Sequence, residues 1–339
     1  MKTYKNSSIF KSLNEQNYHK LIIGASLKDL ESIEFYAYCF THAKANVIDI
    51  SAFPHSLISA QSGIETALAE DPSLEKPLIM LSVNVGQDPH FRRIELDTNL
   101  CTECEACIPS CPSNAFFMSP SFTYNEDLCF GCSNCLDYCP YEALEFKDWD
   151  AYNADELNRL FKMGARAFEI HLNKDFDAFR EFYRKLDLEH IDLESFSIGS
   201  ELMNQQELLQ AKEVILEEVY QRPGVENRSI VIQTDGVPQS GARFSDQHKD
   251  LKSIENARFL INSFENLKPD NCFIQIAGGV NHESLSKAKS MNVNINGVAI
   301  GSWLRNKIID LPRQEAREFS IKTIKKSRTQ NVKNFTKRG

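Results

Sequence analysis

Two cysteine runs fix what the middle of this chain can be. Residues 101–112 read CTECEACIPSCP and residues 129–140 read CFGCSNCLDYCP. Both are C-x2-C-x2-C-x3-C-P, and each cysteine of the first run has its counterpart 28 residues later, with Ala115 and Ala143 in step. Two copies of a four-thiol unit are one device built twice. Three cysteines at two-residue gaps wrap a loop around three corners of a cubane, while a fourth, followed by Pro, is carried off to ligate the neighbouring cluster. The pattern predicts a bacterial-type 2[4Fe–4S] ferredoxin module. Cys101, Cys104, Cys107 and Cys139 are expected on one cluster, and Cys129, Cys132, Cys135 and Cys111 on the other. Pro112 and Pro140 redirect the chain and contribute no amide donor.

Other uses of cysteine fit less well. Structural zinc favours two separated C-x2-C pairs rather than three cysteines and a trailing C-P. A disulfide scaffold needs an oxidising compartment, and the chain shows no secretory leader. The two remaining cysteines, Cys39 and Cys272, sit in apolar segments and are expected to pack as small buried hydrophobes.

The 339 residues, 42% hydrophobic and 25% charged, describe an ordinary globular chain, by length two domains or one barrel. A formal net charge of −9 argues against a general nucleic-acid binder. No apolar run approaches a membrane span of roughly twenty residues. Oxygen-labile clusters without a leader place the expected location in the cytoplasm. Residues 321–339 are basic and poor in large apolar side chains, so the expectation is a flexible tail, or a docking segment for an acidic partner or anionic lipid surface.

Around the cysteine module the chain alternates. KLIIGAS (20–26), NVIDIS (46–51) and PLIMLSVNV (77–85) read as buried strands, separated by stretches with helical spacing. Strands continuous in apolar residues signal a parallel sheet covered by helices. After the module the alternation resumes, with a helix over 153–164 capped by Asn153. Further strands are expected at ARAFEIHL, HIDLESFSIG, SIVIQTDG, CFIQIAGG and, over 296–303, NGVAIGSW. Eight strands separated by helices is the count of a (β/α)8 TIM-like barrel. The rival, an open doubly wound sheet, lacks its G-x-G-x-x-G fingerprint. The expected organisation is residues 1–86 as the first three barrel strands, 87–147 as the inserted ferredoxin-like module, 148–320 as the rest of the barrel, and 321–339 as the tail.

In this fold, loops after the last two strands often hold phosphate. Gly278, Gly279, Gly301 and Ser302 are therefore a candidate anion site, unless these glycines only permit tight turns. Near the expected strand ends lie Asp49, Asn84, Glu169, His171, Glu194, Gln233, Asp235 and Gln275, of which Glu169, His171 and Asp235 are the acid–base candidates. Gln233 to Phe244, QTDGVPQSGARF, is a possible ligand loop. A flavin could use the same phosphate site, though no aromatic or lysine pattern argues for one. Ser-His-Asp order, H-E-x-x-H and a P-loop are all missing.

With the two C-P runs inside an α/β chain, KLIIGAS, NVIDISAFP, TDGVPQSG and FIQIAGGVNHESLSKAKSMNVNINGVAIGSWLRNKI in order, the sequence resembles the light-dependent period (LdpA) family of cyanobacterial circadian clock input proteins. The resemblance covers nearly the whole chain. It implies an iron–sulfur protein that reports redox state, set by photosynthetic electron flow, to clock machinery including sensor kinases. Only the eight module cysteines carry over residue by residue. Three readings follow: a redox sensor, with a redox partner or quinone as a candidate contact; a cluster-dependent oxidoreductase with a flavin or phosphate-bearing ligand at the barrel top; or a plain electron carrier, which leaves most of the chain without a use.

Overall fold

A computed structural model describes residues 7–86, 91–129, 131–147, 152–199, 203–236, 250–264 and 268–333, with side chains to 329. The chain opens with α1 (Ser8–Asn14), β1 (Tyr18–Gly24), α2 (Leu30–His42), β2 (Val47–Ser51), α3 (Pro54–Glu70) and β3 (Leu78–Val85). Four short strands follow: β4 (Arg93–Leu96), β5 (Phe116–Met118), β6 (Phe122–Tyr124) and β7 (Leu144–Lys147). Then come α4 (Ala154–Lys162), β8 (Ala167–Leu172), α5 (Phe176–Arg184), β9 (Leu193–Ile198), α6 (Gln205–Tyr220), β10 (Ser229–Asp235) and α7 (Leu251–Ser263). The chain ends with β11 (Cys272–Ala277), α8 (Ser284–Ser290), β12 (Gly297–Ile300), α9 (Ser302–Ile308) and α10 (Arg313–Lys333).

Eight parallel strands close into a barrel in the order β1-β12-β11-β10-β9-β8-β3-β2, as the sequence count predicts. The cysteine module lies between β3 and α4, at the C-terminal end of the barrel strands. Helix starts follow local chemistry. Asn153 caps α4 by accepting from the Asp155 amide, and Asn204 and Glu207 form a capping box on α6.

The strands alternate, and their inward residues make three layers. At the bottom Tyr18, Val47, Met80, Ala167, Leu193, Val231 and Phe273 pack as an apolar plug. Gly297 completes it, since a Cβ there would lie 2.6 Å from the Tyr18 ring. Two residues further along the strands come Lys20, Asp49, Ser82, Glu169, Ser195, Gln233 and Gln275, all buried. Ordinary barrels fill this level with branched apolar side chains. Here it is polar. Above it, Ile22, His171, Asp235 and Ala277 reach the mouth. The outward residues of the same strands join the helices in the large apolar core.

Two expectations are corrected. Residues 321–333 are not a flexible tail, because α10 runs to Lys333. Its inner face of Ala316, Ser320, Thr323, Ile324 and Ser327 is buried, and Ser327 Oγ meets His19 Nε2 at 2.9 Å. That face is built mostly of small and hydroxyl side chains, so no large apolar stripe announces it. The last strand stops at Ile300, and Ser302 already begins α9, because the irregular backbone of Gly301 (φ −119°, ψ −109°) ends the extended run. The polar N-terminus holds helix α1, whose Ile9 and Leu13 seal the plug from below.

Candidate functional site

The module stands on an antiparallel stem, β4 with β7, and carries a small hairpin, β5 with β6. Its core is Ile94, Ala115, Phe116 and Leu144 packed with Cys107, Cys129 and Cys135. The internal repeat is written into the backbone as well. Left-handed residues occur in pairs 28 apart: Glu103 and Gly131, Glu105 and Ser133, Asn114 and Glu142. Turns of this kind point successive amides into a concavity that suits an anionic cluster. Five of the six are not glycine, so composition gave no hint of them. Gly131 alone has no room for a side chain, since a Cβ would fall 2.2 Å from the Arg92 carbonyl.

The buried thiols of the two runs have different electrostatic neighbours. Burial pushes the Cys107 thiol up to about 11, and its electrostatic neighbours are Cys101, Cys104 and Cys139. Those same four residues line one small cavity. Burial also pushes Cys132 up to about 11, with Cys111 and Cys129 as neighbours, and Cys135 up to about 12, with Cys132, Cys129 and Cys111 foremost. The two groups differ in setting. Glu103 and Cys104 of the first loop are exposed, whereas Gly131 of the second is buried against the stem. Sulfur accepts backbone hydrogen bonds in the second group, from Ala115 to Cys111 Sγ (3.3 Å) and from Gly131 to Cys129 Sγ (3.5 Å). All-thiolate donor sets in an apolar pocket with inward amides fit iron–sulfur clusters. Cys39 and Cys272 are fully buried elsewhere, and burial pushes both thiols up to about 12.

The barrel mouth holds a cavity of about 110 Å³. It brings together Asp49, Glu169, His171, Gln233 and Asp235 with Gly278, Gly279, Gly301 and Ser302. Beneath them the sequence reading missed Lys20. Its ammonium is fully buried, 2.5 Å from Glu169 and 3.4 Å from Asp49. Ser195 and Gln233 donate to Glu169 (2.6 and 3.0 Å), His171 Nε2 lies 3.2 Å from it, and Ser82 donates to Asp49 (2.6 Å). Ser197 donates to Asp235, and Gln275 to Gln233.

The protons divide unequally across this network. Burial pushes Glu169 up, but Lys20 and His171 outweigh it and hold the carboxyl below its usual range. Burial raises Asp49, and Lys20 only partly offsets it. For Lys20, burial pushes down, yet Glu169 and Asp49 raise it overall, so it stays an ammonium.

Glu194 does not join the mouth. It is the outward residue of its strand pair, and it is buried among the helices with Arg228 and Tyr183. Asn84 donates to the Gly86 carbonyl and is not part of the cavity wall. Of the expected ligand loop, the stretch beyond Gly236 lies outside the described residues.

Module and barrel are joined by a second residue that the sequence reading missed. Arg93, at the start of the stem, is one of the largest fully buried side chains. Its guanidinium donates to the Ser26 carbonyl in the loop after β1 and to the Glu126 carbonyl (2.8 Å) three residues before Cys129. Glu126 and Asp127 carboxylates stand 3.8 and 3.7 Å away. Lys28 donates its amide to the Asp127 carbonyl (3.3 Å). Phe91 packs edge-on against His171 with ring centres 5.1 Å apart. Ser26 and His171 both line the mouth.

Comparison with known proteins agrees with this two-part architecture. The family model of the light dependent period A C-terminal domain matches residues 159–335, more than half of the chain. The chain belongs to the light dependent period A family. A 4Fe–4S dicluster domain model matches residues 100–143. One relative in this family, "Light dependent period A" of Synechococcus elongatus, is 27% identical over 321 residues, covering 88% of this chain and 83% of that protein. Solved structures of similar shape include the flavin-binding domain of Baker's yeast flavocytochrome b2, with TM-score 0.47 and 11% identity over 94% of this chain. The chain spans 64% of that protein's length. Mycobacterium tuberculosis tryptophan synthase gives TM-score 0.45 and 9% identity over 95% of this chain and 98% of that one. Among the described residues no helix is long and apolar enough to cross a membrane.

Proposed function

We propose that this family member is a redox sensor in light-dependent clock input, with two [4Fe–4S] clusters whose state is read by the barrel. Cys101, Cys104, Cys107 and Cys139 hold the outer cluster, and Cys129, Cys132, Cys135 and Cys111 the inner one. Such clusters supply one-electron exchange when bound. The observation that carries the reading is the Arg93 clasp. A guanidinium fixed between the segment leading to Cys129 and the Ser26 carbonyl faces any change of charge on the inner loop from a site of low dielectric. A unit charge there is worth several kcal/mol when poorly screened, more than the few that separate typical conformers. The loop at residues 24–28 then becomes the element whose position reports cluster state, and clock-input sensor kinases or a quinone are the partners that the family resemblance suggests.

The test is hydrogen exchange on anaerobically purified protein, oxidised and dithionite-reduced. The amides of Ser26 to Lys28 should exchange differently in the two states, and Arg93→Met should abolish the difference while iron content stays at about eight per chain. Identical exchange in both states of the parent protein would refute the reading. A bound flavin in the purified protein would instead favour the oxidoreductase.

A further inference from the structure

The two thiol groups share a backbone but not an electrostatic setting. Glu103 and Gly131 stand in step along the repeat at φ +55° and +66°, as do Glu105 and Ser133 at +63° and +66°. The outer loop therefore carries two carboxylates at positions where the inner loop carries a glycine and a serine. Glu103 lines the groove beside Cys101, and Glu105 lines the cavity of the outer thiols. Both side chains are exposed, as is Cys104 between them.

The inner loop is set against a buried cation. The Glu126 carbonyl accepts from both Arg93 Nη1 (2.8 Å) and the Cys129 amide (3.0 Å), so one peptide ties the guanidinium to the thiol. Cys129 is accordingly among the electrostatic neighbours of Arg93. The Arg93 side chain is 1% exposed, whereas its carboxylate neighbours Glu126 and Asp127 are 51% and 62% exposed. Water screens those two acids, and Lys28 faces them as a second cation. The buried guanidinium is screened far less. Donors also reach the inner sulfurs: the Gly131 amide on Cys129 (3.5 Å), the Ala115 amide on Cys111 (3.3 Å) and the Asn134 amide on Cys132.

Reduction adds one negative charge to a site already bounded by four thiolates. Burial opposes any added charge, so by exposure alone the outer group is the easier one to reduce. Net charge nearby and hydrogen bonds to sulfur act the other way, and both favour the inner group. We propose that Arg93 makes the inner thiol group the place where an electron comes to rest. One electron taken from a reduced carrier protein leaves that carrier oxidised by one and is held at the inner group; no proton moves and no bond is made or broken. Arg93 is a positioning residue here, since it ligates nothing and acts through its charge. The assignment rests on the two-cluster reading of the cysteines, but not on movement of the loop at residues 24–28.

The test is a potentiometric titration of the anaerobic, cluster-loaded protein, followed by electron paramagnetic resonance. The parent protein should show two one-electron midpoints. Arg93→Met should lower the upper one by at least tenfold in equilibrium constant, about 59 mV for one electron, with iron still at about eight per chain. Arg93→Gln, which keeps an amide donor for the two carbonyls, should do the same and serves if methionine costs the protein its iron. Arg93→Lys keeps the cation and should recover most of the shift. Cys132→Ser leaves the outer group loaded, and that group should titrate at least tenfold, about 59 mV, below the parent's upper midpoint. An upper midpoint unmoved in an iron-replete neutral variant, an equal drop in Arg93→Lys, or an outer group that titrates at the upper midpoint would overturn the assignment. The predicted shift without any hydrogen-exchange difference would support it and refute the loop movement instead.

Discussion

Lys20→Met is the substitution that most directly probes why the barrel tolerates charge at its centre. The ammonium is fully buried, 2.5 Å from Glu169 and 3.4 Å from Asp49. Methionine keeps most of the length of the side chain and removes the terminal ammonium with its charge and donors. Breaking a buried pair from one side costs about 3–5 kcal/mol, because the other charge is left uncompensated. Spread over 339 residues at about 2.1 cal/mol/K each, that lowers the unfolding midpoint by about 4–7 °C. The pH dependence has a definite sign. In the parent protein Glu169 sits below its unfolded value, so it stabilises the fold above about pH 4.3 and that contribution is lost on acidification. Without Lys20, burial dominates and Glu169 rises above its unfolded value, so its penalty grows with pH and is relieved by acid. The gap between parent and variant should therefore narrow from pH 7.5 to pH 5.5. Urea unfolding followed by far-UV circular dichroism at both values measures it. Adding Glu169→Gln to the variant should recover at least about 1 kcal/mol. A loss below about 1 kcal/mol for Lys20→Met, or a gap that widens in acid, would refute the assignment of Lys20 as the counter-ion that holds the carboxyls in place.

Further outcomes follow from single positions. Cys132→Ser should lower iron from about eight to about four per chain, with the outer group of thiols still loaded, as read by iron and sulfide analysis. His19 is fully buried against Ser327, and burial with the nearby Arg328 pushes it down to about 3. Its proton is taken up only on unfolding, so the fold loses about 2 kcal/mol between pH 6.5 and pH 5, and His19→Gln should remove that part of the acid sensitivity in urea melts. Gly63→Ala, although alanine is the better helix former, should destabilise by about 1–3 kcal/mol. Its Cβ would come 2.2 Å from the Glu34 carbonyl where α3 crosses α2, and thermal unfolding checks it.

Much of this architecture was legible in the chain because it repeats. Eight apolar runs with helices between them announced a closed parallel barrel, and the 28-residue cysteine repeat announced the module. What escaped notice did so for identifiable reasons. Lys20 opens KLIIGAS, where a charge reads as the edge of a strand, yet it shares inward parity with Tyr18 and Ile22. The same parity in β8 puts Ala167, Glu169 and His171 inside and Phe168 and Ile170 outside. Applied to β9 it would have chosen Ser195 and Ser197 over Glu194. Arg93 lies in FRRIEL, where paired arginines look solvated, and only the stem's approach to the first loop buries one of them. The left-handed turns at Glu103, Glu105 and Ser133 are carried by residues that prefer other conformations.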